Sequence, residues 1–95
     1  MDVKFDFSGE TVLVTGGSRG TGAVVATSFA KAGANVLITF RREGRKAKKI
    51  VKYNRNVGVK SFAMRLTMEK PKKVEKEIGE ILDRYGPIRV LGEFR

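Results

Sequence analysis

One eight-residue run, Thr15-Gly16-Gly17-Ser18-Arg19-Gly20-Thr21-Gly22, combines residue types and spacing that together could do chemistry. Gly16, Gly20 and Gly22 stand in the order Gly-x-x-x-Gly-x-Gly. That order lets a backbone turn sharply out of a strand, come close to an anion, and begin a helix tight against a sheet. A helix beginning there aims free N–H groups and the positive end of its dipole at the anion, which makes the run a cradle for phosphate or diphosphate. Ser18 and Thr21 add hydroxyl donors, while the Thr15 hydroxyl suits fixing the turn itself. The bland alternative is a turn that binds nothing. Three correctly spaced glycines between a strand and a helix are far more restrictive than one.

The elements that must position this loop follow from hydrophobic patterning. Strands are expected over Thr11 to Thr15, Asn35 to Phe40, Ser61 to Leu66 and Arg89 to Leu91, the first two apolar enough to be buried on both faces. Between them, Gly20 to Ala32 places Val24, Val25 and Phe29 among alanines, a narrow helix suited to lying close on a sheet. A second helix, about Glu43 to Asn54, sets Ala47, Ile50 and Val51 on one face and cations elsewhere. A third opens at Pro71, a favoured first-turn residue, carries Val74, Ile78, Ile81, Leu82 and Tyr85 at helical spacing, and stops at Gly86-Pro87. Alternating strands and helices predict a parallel sheet covered by helices. Right-handed crossovers put the first two helices on one face and the third on the other, with strand order 3-2-1-4. The fold expected is α/β, half of a doubly wound sheet in a single domain over residues 1–95.

A chain of 95 residues supports one small domain with a thin core. The absence of Cys and His excludes disulfide staples, the usual zinc sites and most nucleophilic triads. Met1-Asp2-Val3-Lys4 lacks a signal pattern, and no apolar run approaches the roughly 18 residues of a membrane span, so a soluble cytoplasmic protein without membrane contact is expected. The net charge of +10 is concentrated: Arg41 to Lys60 holds nine basic residues against Glu43 alone, a local +8. Such a field attracts phosphates on a dinucleotide or on nucleic acid alike, and a solvated lysine-rich helix face produces the same pattern.

The stretch Thr15 to Gly22 resembles the cofactor loop of the short-chain dehydrogenase/reductase family. Lys31-Ala32-Gly33-Ala34-Asn35-Val36-Leu37-Ile38 is similar to that family's first-helix end and second strand, and Tyr85-Gly86-Pro87-Ile88-Arg89-Val90-Leu91 to the approach to its fourth strand. The resemblance runs from about Phe7 to Leu91 and implies a Rossmann-like dinucleotide-binding half. Its acid for the adenosine ribose would fall at Phe40, which accepts no hydrogen bond, whereas Arg41 stands where NADP-preferring relatives carry arginine. Arg19 matches their basic residue inside the loop, and Arg42 is a further candidate beside it. The resemblance therefore implies NADP(H) rather than NAD(H), held by Gly16, Ser18, Arg19, Gly20, Thr21, Gly22, Arg41 and Arg42. Thr67 falls where relatives place an aspartate against the adenine amino group.

The family continues past its fourth strand into an Asn-Asn-Ala-Gly turn, a catalytic Ser and a Tyr-x-x-x-Lys pair; here Gly92-Glu93-Phe94-Arg95 follows. Tyr53 is followed four residues on by Val57 and Tyr85 by Arg89, so neither makes the pair and no catalytic residue is assigned. The first reading is thus a truncated oxidoreductase half that binds NADP(H) without catalysis. A second is a basic nucleic-acid-binding module using Arg41 to Lys60; against it, Phe40, Tyr53 and Phe62 form no obvious stacking platform. The third is a ligand-free scaffold that self-associates as a homo-oligomer through the exposed fourth strand or an uncovered sheet face.

Overall fold

The computed structural model describes residues 6–18, 20–42, 44–65 and 71–91. Four strands, β1 (Thr11–Val14), β2 (Asn35–Phe40), β3 (Ser61–Arg65) and β4 (Ile88–Leu91), alternate with three helices, α1 (Gly20–Lys31), α2 (Gly44–Val57) and α3 (Pro71–Tyr85). The strands form one parallel sheet in the order β3-β2-β1-β4, as the alternating pattern predicts. Val14 lies opposite Ile38 and Leu91 across the ladder, so the carboxyl ends of β2, β1 and β4 share one edge of the sheet.

All of β1 and the four central residues of β2 are buried. Val12, Val14, Val36 and Ile38 build the core with Ala26 and Ala30 of α1 and Ala47 and Val51 of α2. Full burial of each of the larger aliphatic side chains is worth about 1.5–3 kcal/mol. The buried positions of α1 are Gly22, Ala26 and Ala30, one residue per turn, so the helix meets the sheet through its smallest side chains. Of the larger apolar residues of this helix, Val24 is 64% exposed, while Val25 and Phe29 pack at the margin of the core.

Helix α2 runs to Val57 rather than ending at Asn54, because Asn54 is wholly buried and donates through Nδ2 to Ser61 Oγ of β3 at 3.1 Å. That bond overrides the weak helix preference of asparagine, and the helix stops only at Gly58. On the opposite face of the sheet stands α3, tied to β3 by the Phe62 and Tyr85 rings at 5.3 Å. Gly86 closes α3 as expected: its φ is +74° and its N–H donates to the Leu82 carbonyl at 2.9 Å. An open groove of about 930 Å³ separates α3 from the sheet, lined by Leu13, Leu37, Met64 and Ile81. Among the described residues, no helix is long and apolar enough to cross a membrane.

Candidate functional site

Each glycine of the loop answers a different geometric demand. Gly16 and Gly20 adopt φ of +70° and +59°, the left-handed region that a side chain resists. Gly22 has ordinary backbone angles but no room: a Cβ there would be driven into the Gly16 carbonyl oxygen and would lie 3.1 Å from Gly17 Cα. The first turn of α1 therefore rests directly on the loop. Gly17 is similarly confined, since a Cβ would come within 2.7 Å of Ile38 Cγ2.

The loop is anchored to β2 through one residue. Gly16 N–H donates to Thr39 Oγ1 at 3.0 Å and Gly17 N–H to the Thr39 carbonyl at 3.2 Å. Those two amides are committed to holding the loop. The donors left for a ligand come from the start of α1, where the amides of residues 20–22 precede any intrahelical acceptor. Gly20 and Thr21 are exposed there, so the mouth of the cradle opens to solvent. Ser18 is only 7% exposed, buried within the loop.

Thr39 also sets where the cations stand. It lies two residues before Arg41, so the loop and the end of β2 meet at the same edge of the sheet. Arg41 and Arg42 are both exposed at that edge. Phe40 is half-buried against the core, and its ring carries the Arg65 guanidinium 5.3 Å from the centroid. No carboxylate accompanies the arginines at the end of β2 among the described residues; Glu43, Arg19 and Thr67 lie outside them. Thus Gly16, Ser18, Gly20, Thr21 and Gly22 lie in the loop and helix start, Arg41 and Arg42 follow Thr39 past the end of β2, and the roles of Arg19 and Thr67 rest on sequence.

Thr39 was legible as the one hydroxyl in β2, yet its service to the loop needed the fold to be seen. The Arg65–Phe40 stack left no signal in spacing.

A strand, a glycine turn and a helix start at the carboxyl edge of a 3-2-1-4 parallel sheet form the arrangement at which doubly wound folds bind dinucleotides. The family model for short chain dehydrogenase matches residues 10–93. The chain belongs to the short-chain dehydrogenase family. This short-chain dehydrogenase sequence is 29% identical over 86 residues to the L-rhamnose 1-dehydrogenase (NADP(+)) of Thermoplasma acidophilum, covering 90% of this chain and 34% of that protein. It is 34% identical over 82 residues to a 3-oxoacyl-[acyl-carrier-protein] reductase of Staphylococcus epidermidis, again covering 34% of the relative and 86% of this chain. The crystal structure of a short chain dehydrogenase from Burkholderia cenocepacia in complex with NADP superposes with a TM-score of 0.79 at 30% identity, covering 93% of this chain and 38% of that one. The chain spans about a third of the length of these relatives.

Proposed function

We infer that this chain is the NADP(H)-binding part of a short-chain oxidoreductase. The observation that carries the reading is the loop geometry. Two left-handed glycines and one without space for a Cβ bring the start of α1 onto the loop that Thr39 anchors, two residues before Arg41. The amides at the helix start would hold the diphosphate, and Thr21 would add its hydroxyl. Arg41 and Arg42 would meet the 2′-phosphate, a dianion that guanidinium groups bind with charge-assisted hydrogen bonds. Phe40 supplies no acceptor for an unmodified ribose, which favours the phosphorylated cofactor. A relative named for NADP(+) and a neighbouring structure in complex with NADP support the same choice.

A bound nicotinamide would supply hydride; these 95 residues hold no Tyr-x-x-x-Lys pair to pass a proton, so binding without turnover is proposed for the chain by itself. Thermal unfolding with rising NADPH tests this. A ligand that binds only the folded chain stabilises it by about 2.7 kcal/mol at 100 times its Kd. NADPH should raise the melting temperature at lower concentration than NADH. No rise with millimolar NADPH in a folded sample would refute the reading.

A further inference from the structure

The loop and the end of β2 leave most of the positive charge unused. A groove of about 1000 Å³ runs between α2 and β3, lined by Arg42, Arg45, Lys48, Lys52, Arg55 and Arg65. No carboxylate stands among the described residues that line it. Arg45, Lys48, Lys52 and Arg55 recur at intervals of three and four residues, one row along the helix. At 1.5 Å rise per residue this row is about 15 Å long. A line of single-sign charge fits a ligand whose own charge is continuous, as a phosphate backbone is.

Two arginines that line the groove also reach aromatic rings, Arg55 that of Phe62 beyond the β3 edge and Arg65 that of Phe40 within the groove. Arg55 donates through Nε to the Ser61 carbonyl at 3.0 Å, and its guanidinium lies 5.3 Å from the centroid of Phe62. Arg65 lies 5.3 Å from the centroid of Phe40. Both arginines are exposed. Each ring thus carries an exposed guanidinium, and a guanidinium is itself a stacking partner for an unstacked base. Unstacked bases of a single strand use such planes, and a duplex keeps its bases inside. The Arg55 bond also caps a backbone acceptor of β3, which disfavours addition of a peptide strand at that edge.

We propose that the α2–β3 groove binds single-stranded nucleic acid, with the row from Arg45 to Arg55 on the phosphates and the Arg55 and Arg65 planes under bases. This goes beyond the cofactor reading and uses other residues, Arg42 at the mouth excepted. The test is fluorescence anisotropy of a labelled single-stranded oligonucleotide of roughly 12 nucleotides, with the full chain and no NADPH. Four phosphate contacts give a slope of log affinity on log salt of about −2.8, a fall of about 50-fold between 50 and 200 mM salt.

Replacing Lys48→Glu with Lys52→Glu should weaken binding by about tenfold or more and flatten the slope, while Lys72→Glu with Lys73→Glu on α3, an equal change in charge, should not. Lys48→Gln with Lys52→Gln, a milder pair, should give an intermediate loss and guards against misfolding of the reversed pair. Absent binding at the lower salt, or equal weakening by both reversed pairs, would overturn the proposal. So would tighter binding of the matching duplex, or equal competition by a polyglutamate of the same charge.

Discussion

The sharpest test of the loop geometry is a pair of identical substitutions with opposite signs. In a helix interior, Gly→Ala ordinarily stabilises by about 0.5–1 kcal/mol, because alanine has less freedom to lose on folding. Gly79 of α3 has nothing within 4 Å of where a Cβ would stand, so Gly79→Ala should show that gain. At Gly22 the new methyl would strike the Gly16 carbonyl and crowd Gly17 Cα, all backbone, and backbone cannot rotate aside as a side-chain tip can. Overpacking of this kind costs about 1–3 kcal/mol and outweighs the helix preference. A central loss of about 2 kcal/mol corresponds to a fall in melting temperature of about 8–16 °C for a chain this short, against a rise of about 2–8 °C for Gly79→Ala. Thermal unfolding followed by circular dichroism reads both. The clash also pushes the first turn of α1 off the loop, so Gly22→Ala should lose NADPH-dependent stabilisation. If Gly22→Ala were as stable as the unchanged chain and still answered NADPH, the packing argument would be wrong.

Three further outcomes follow from the same contacts. Thr39→Val keeps the shape but strands the part-buried Gly16 N–H, and should cost about 1–3 kcal/mol in urea unfolding, with weaker NADPH binding. Arg41→Ala with Arg42→Ala should lower NADPH affinity by about tenfold, the modest end for charge-assisted bonds because both side chains are exposed, and leave NADH affinity nearly unchanged by calorimetry. Ser61→Ala should destabilise by about 1–3 kcal/mol by stripping the buried Asn54 amide of its partner, whereas Asn54→Leu combined with Ser61→Ala should recover most of that loss in the same unfolding assay.

Much of the sheet could be read directly from residue type. Val12, Leu13 and Val14, then Val36, Leu37 and Ile38, are apolar without alternation because β1 and β2 are covered on both faces. Gly86 and Pro87 announced the end of α3 through backbone chemistry alone. The three loop glycines were legible because no other residue meets those demands. Contacts that join elements distant in sequence were not legible: Thr39 to Gly16, Arg65 to Phe40, and Asn54 to Ser61 depend on register and on where α2 crosses the sheet. The same holds for Val24, since small residues rather than the larger valine took the inner face of α1.

The measurement closest to the central claim is a ¹H–¹⁵N correlation spectrum of the chain titrated with NADPH. The largest shifts should fall on the amides of residues 18–22, with smaller ones at Gly16 and Gly17, whose N–H groups are already bonded to Thr39. Arg41 and Arg42 should respond to NADPH and not to NADH. Shifts confined to α2, or none at the start of α1, would contradict the account.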